Sequence, residues 1–185
     1  MKENRIAVFD LDDTLYQGNS HFAILNQYYR TKIFTSILAR IIGKLFPIIH
    51  LKIAYYFYNR IPLKTKCSFT LSYRHEVKKL FMSKRQAGYH MIILSNAPLE
   101  LLSKAASDLD VDWIKAEVGK KSEALKARYE YKELFVCTDN VTDLDLINIA
   151  DEAVITCLPQ KRKFFRDKVT CKKYSFIEEL EKNEM

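Results

Sequence analysis

From Tyr73 onward short apolar runs alternate with helix-like stretches, and that alternation narrows the fold more than any other feature of the chain. The runs at residues 90–94, 134–137 and 153–157 are too short for buried helices and read as strands covered on both faces. Residues 76–86, 98–109, 121–131 and 142–150 read as helices, with Pro98 suited to a first turn, and a last helix is expected over 176–182. Residues 113–116 form a further short strand candidate. With only 4 Gly and 4 Pro in 185 residues, elements should be long and loops few. Repeated strand–helix units require a parallel, doubly wound α/β sheet, Rossmann-like in outline.

The first apolar run, residues 5–10, stops at an acidic cluster and reads as a buried parallel strand with its carboxyl end at Asp10. Behind it the composition changes abruptly. Residues 14–75 contain no Asp or Glu but nine Lys or Arg, so the rest of this +7 chain is slightly acidic. Asn19 or Ser20 can cap a helix near residues 21–29. Ile33, Phe34, Ile37, Leu38, Ile41, Ile42, Leu45 and Phe46 recur at helical spacing, and Pro47 should end or kink that helix. A tyrosine-rich apolar stretch over 48–58 then runs to Pro62. The chain thus divides into a core of residues 1–15 and 76–185 and a basic helical insertion of residues 16–75. A membrane span needs about 20 apolar residues, and Arg40, Lys44 and Lys52 interrupt every such window.

Four scattered cysteines without CxxC or Cys/His spacing argue for a reducing compartment and against structural zinc. The first apolar run ends in acid after four residues, so no leader peptide is expected. The expected location is the cytoplasm, in solution or on the inner face of a membrane.

Ligands of such sheets bind beyond the carboxyl ends of the strands. At those ends stand Asp10-Leu11-Asp12-Asp13-Thr14, Ser95-Asn96, and Thr138-Asp139 with Asp143 four residues on; Lys121 (or Lys120) stands at a helix start. Carboxylates gathered at one edge would repel one another without a cation, and hard oxygen ligands suit Mg²⁺. A hydroxyl and a lysine beside them supply donors for an anion. A phosphoryl group needs this combination. His21, His50, His75 and His90 show no ligand spacing and read as structural.

These residues resemble, in order, the four motifs of the haloacid dehalogenase superfamily. Residues 6–15 look like its DxDxT strand motif, residues 91–95 like its strand ending in Ser, residues 121–125 like its helix-start lysine, and residues 135–143 like its DxxxD motif. A helical insertion directly after the first motif is similar to the cap of the phosphoserine-phosphatase-like branch. The resemblance implies that Asp10 attacks phosphorus and forms an aspartyl-phosphate. It implies that Asp12 serves as general acid and base. Mg²⁺ would be held by Asp10, the backbone carbonyl of Asp12, and Asp139. Ser95, Asn96 and Lys121 would bind the phosphoryl group, Thr14 would support the site, and Asp143 would orient Lys121 or metal-bound water. The family usually places Gly where this chain has Thr138, so a side chain is added there. The short span from Ser95 to Lys121 leaves substrate selection to the cap.

The expected function is Mg²⁺-dependent phosphomonoester hydrolysis of a phosphorylated small molecule. One alternative is a lipid-linked phosphate, as in phosphatidylglycerophosphatases, with the basic 16–75 cap against an anionic membrane surface. Another is a degenerate, non-hydrolytic phospho-binding module. Nucleic acid is not an expected partner, because no motif for it is present.

Overall fold

The computed structural model describes residues 2–179, apart from a few side chains. Six parallel strands form one sheet in the order β3-β2-β1-β4-β5-β6. They are β1 (Lys2–Phe9), β2 (His90–Ser95), β3 (Asp112–Lys115), β4 (Glu130–Thr138), β5 (Glu152–Ile155) and β6 (Lys173–Phe176). The order reverses direction at β1 and β4, which is where a doubly wound sheet opens a crevice for ligands. Strand alternation sends neighbouring residues to opposite faces. Ala7, Phe9 and Ile93 therefore join one core with Phe81, while Ile6, Val8, Ile92 and Leu94 join a second core with Phe165 on the other face. Each fully buried side chain of this kind contributes about 1.5–3 kcal/mol.

The helices of the core are α5 (His75–Gln86), α6 (Leu99–Leu109), α7 (Lys121–Lys126), α8 (Leu144–Ile147) and α9 (Pro159–Lys168). Several differ from the sequence reading. The helix expected over 121–131 ends at Lys126, because from Glu130 the chain pairs with β1, Glu130 opposite Lys2. The helix expected over 142–150 is a tight turn, Val141–Asp143, followed by a single helical turn. Pro98 is extended (ψ 142°) and precedes α6 rather than entering it. Helix α9 and strand β6 were not anticipated. Phe176 belongs to that strand, and the part of the expected terminal helix beyond residue 179 lies outside the described residues.

Residues 16–75 carry α1 (Ser20–Tyr28), α2 (Ile37–Leu45), α3 (Pro47–Tyr58) and α4 (Leu63–Ser68). Asn19 caps α1 by accepting from the Phe22 amide at 3.1 Å, as its residue type suggests. The helix read over 33–46 begins later, at Ile37, because the Ser36 hydroxyl caps it by accepting from the Ala39 amide. Pro47 opens α3 at a position that needs no amide hydrogen. Ile24, Leu25, Ala54, Tyr58 and Phe69 form a third apolar cluster, which includes Leu101 of α6 and so seats the insertion on the core. The Tyr58 hydroxyl (3.1 Å) and the Lys66 ammonium (3.4 Å) both donate to Glu100 at this junction. The two connecting segments run side by side: Tyr16 bridges Tyr73, and the Gln17 and Arg74 amides donate to the carbonyls of Ser72 and Leu15.

Candidate active site

Asp10 follows β1 and is buried, its amide donating to the Cys137 carbonyl of β4 at 2.9 Å. That bond joins the two strands at the point of reversal. The chain then makes one wide helical turn, Leu11–Leu15, interrupted at Asp12 and Asp13. Asp13 takes a left-handed conformation (φ 56°), which Asp tolerates better than most residues. The Arg74 guanidinium donates to the Asp13 carbonyl, and the Asp13 amide donates to the carbonyl of Gly18. Gly18 has φ 130°, a conformation open to glycine, so the return of the chain depends on it.

Lys121, at the start of α7, is 2% exposed and donates to Asp10 at 2.8 Å and to Asp143 at 2.7 Å. Burial works against its ammonium, but the charges of Asp10 and Asp143 outweigh it and hold the pKa above the ordinary lysine value. Lys120 instead pairs with Glu117 on the surface, so the lysine at the site is Lys121. Burial raises Asp143, although Lys121 and Thr138 oppose the rise. The Thr138 hydroxyl donates to Asp143 at 2.6 Å. The side chain added at 138 is therefore turned onto Asp143, as a second donor for that carboxylate.

Asp139 accepts from the Thr14 hydroxyl at 3.3 Å, and Lys161 of α9 stands 3.9 Å away. Burial, followed by the charges of Asp10 and Asp13, pushes its carboxyl up to about 7. Ser95 is fully buried at the end of β2, where its hydroxyl accepts from the Ala97 amide at 3.3 Å; Asn96 is exposed beside it. Asp12 accepts from the Ser20 amide at 2.8 Å, a first-turn donor of α1 that no helical carbonyl can reach. Burial is the main reason that its carboxyl also rises to about 7.

Asp10, Lys121, Asp143 and Thr138 thus form one bonded group, and Thr14 with Asp139 form another at the ends of the same two strands. Ser95 and Asn96 stand at the end of neighbouring β2, and no bond among the described residues ties them to either group. A cleft of about 340 Å³ opens between the insertion and the core, lined by Asp12, Asn96 and Lys115 on one side and by His21, Phe22 and Tyr55 on the other. Among the described residues no three His, Cys, Asp or Glu side chains converge as a metal cage. The set that suits Mg²⁺ consists of two carboxylates, Asp10 and Asp139, and a backbone carbonyl. Asp139 fits such an ion because its buried carboxyl lies near other acids and has only weak compensation.

Three residues were missed from the sequence. Asp145 accepts from the Ser122 amide at 2.7 Å and so holds the start of α7. Lys161 comes from a helix that was not anticipated. His21 was read as structural, and it packs at ring distances of 4.6 Å from Tyr55 and 5.0 Å from Tyr58, but it also lines the cleft. Only its place at a helix start, a few residues after the acidic motif, could have hinted at this.

No family model and no curated protein sequence matches the chain. Among solved structures it is similar to a phosphoserine phosphohydrolase-like protein from Francisella tularensis, with 17% identity, a TM-score of 0.62, and coverage of 98% of this chain and 100% of that one. A phospho-aspartyl intermediate analogue of phosphoserine phosphatase gives 14% identity and a TM-score of 0.63, covering 94% of this chain and 93% of the other. A HAD family hydrolase from Salmonella enterica serovar Typhi gives 13% and 0.68, covering 95% of this chain and 68% of that one. At such identities the likeness is one of fold. The chain has the fold of the haloacid dehalogenase superfamily in its phosphoserine-phosphatase-like form.

Proposed function

We propose that this chain, built on the phosphoserine-phosphatase form of the haloacid dehalogenase fold, hydrolyses phosphate monoesters through an aspartyl-phosphate on Asp10. The observation that carries this reading is Lys121, buried between Asp10 and Asp143 at the point where the sheet reverses. One Asp10 carboxylate oxygen is engaged by Lys121, which leaves the other to attack phosphorus. Lys121 offsets negative charge on Asp10 and on an arriving phosphoryl group. Asp143 and Thr138 hold Lys121 in place. Asp12 opens onto the cleft with a carboxyl near 7, so at neutral pH it can give a proton to the leaving oxygen and later take one from water. Asp10, Asp139 and the Asp12 carbonyl would hold Mg²⁺, which when bound supplies positive charge against the phosphate. Ser95 and Asn96 are assigned to the phosphoryl oxygens.

Asp10→Asn is expected to abolish Mg²⁺-dependent release of phosphate from an aryl phosphate, a loss of at least about 10³-fold. Unchanged release would remove the reading. A stable aspartyl-phosphate without turnover would favour a phospho-binding module. On the substrate, Phe22, Leu51, Tyr55 and Val118 give the cleft an apolar side. This favours an ester with an apolar leaving group, including a lipid-linked one, over a small polar metabolite. A panel of phosphate esters that includes phospholipid head groups, ranked by kcat/KM, separates the two.

A further inference from the structure

In globular proteins an amphipathic helix turns its large apolar side chains inward. Helix α2 does the reverse. Its inward side is made of Ala39, which is buried, and Gly43, where a Cβ would stand 2.8 Å from the His50 ring of α3. Its large residues face out: Ile37 is 77% exposed, Leu38 66% and Leu45 65%. Phe46 and Ile48 continue this surface into α3, with exposures of 56% and 69%. Fifteen of the twenty exposed large hydrophobic side chains among the described residues lie between residues 28 and 63. Monomeric soluble proteins rarely leave so many large apolar side chains of one segment uncovered.

The charge that the insertion itself carries around this surface has one sign. Lys32, Lys44, Lys52 and Lys64 are exposed, and no ion pair among the described residues neutralises them. The insertion holds no acid of its own. An apolar ridge bordered by unpaired lysines is complementary to a surface that is apolar beneath and anionic at its head groups. Helices of nine and twelve residues cannot cross a bilayer, so the pair would lie in the interface. We infer that the α2–α3 hairpin is an interfacial anchor that docks the protein on an anionic lipid bilayer. The hairpin also places the bilayer beside the cleft, because Leu51 and Tyr55 of α3 are both exposed and line it. Lipid binding is measured without phosphate release, so its failure leaves the hydrolase reading untouched.

The test mixes the full chain with vesicles of phosphatidylcholine alone, or of phosphatidylcholine and phosphatidylglycerol in equal parts. The protein is expected to sediment with the anionic vesicles and to be released by added salt. Ile41→Glu/Leu45→Glu should lower the bound fraction at least about tenfold, and Lys44→Glu/Lys52→Glu should remove the preference for anionic lipid. All four side chains are exposed, and unchanged circular dichroism melts would verify that folding is intact. As an independent readout that keeps the apolar face, Phe46→Trp should shift its emission to the blue when anionic vesicles are added. Three outcomes would overturn the proposal: no sedimentation with either vesicle, equal binding by Ile41→Glu/Leu45→Glu, or no spectral shift. A dimer that this apolar variant dissolves, without vesicle binding, would assign the face to a second copy of the chain.

Discussion

Thr138 shows how one side chain can replace a feature that a motif leads one to expect. Its hydroxyl and Lys121 both donate to Asp143, which is 1% exposed and could not be left short of donors. Thr138→Val keeps the shape and removes the donor. It is expected to cost about 2 kcal/mol in urea denaturation, and to lower kcat about tenfold by loosening Lys121. Thr138→Ser should restore most of both. The places of Asp10, Asp12, Ser95, Lys121, Asp139 and Asp143 along the carboxyl edge of the sheet were legible in the sequence, because each stands near a strand end or helix start that its apolar run marks out. The partner of Thr138 was not legible, since a hydroxyl's direction depends on the turn that follows it. His21 and Lys161 were hidden for a related reason: only the packing of distant helices brings them to the cleft or to Asp139.

Among the elements, α7 has only six residues, too few to hold its own start in place. Asp145 of α8 does so through the Ser122 amide. Asp145→Ala should therefore destabilise the fold by about 1 kcal/mol and raise KM for an aryl phosphate several-fold, while conservative Asp145→Asn keeps most of both. Differential scanning calorimetry and steady-state kinetics would check the pair of effects. Strands β1, β2, β4 and β5 were legible because their apolar runs are buried on both faces, whereas β6 buries only Phe176 fully and was not. The end of α7 was not, because pairing of β4 with β1 along Lys2–Phe9 draws residues 130 onward out of a helical pattern. Helix α9 is basic and largely exposed, so it has little apolar periodicity to read.

For the whole molecule, the buried ionisable groups set how stability follows pH. Burial pushes Asp12 and Asp139 from 3.8 up to about 7, and pushes His21 from 6.5 down to about 4. Between about pH 5 and 6.5 the folded chain therefore keeps two carboxyl protons that the unfolded chain has lost, and lacks one imidazole proton that the unfolded chain holds. A net excess of one proton in the folded state means stability falls as pH rises, by about 1.4 kcal/mol per pH unit. Urea melts in chelator at pH 5 and 6 should show the fall. In Asp12→Asn/Asp139→Asn they should show a shallower fall or a rise, since the imidazole contribution survives. The bridge between Tyr16 and Tyr73 has a consequence of another kind. Where a chain leaves and re-enters a scaffold at one spot, whatever lies between can be exchanged without moving the ends of β1 and α5. The same α/β scaffold could thus be readdressed to a new substrate or surface by swapping a single continuous cassette.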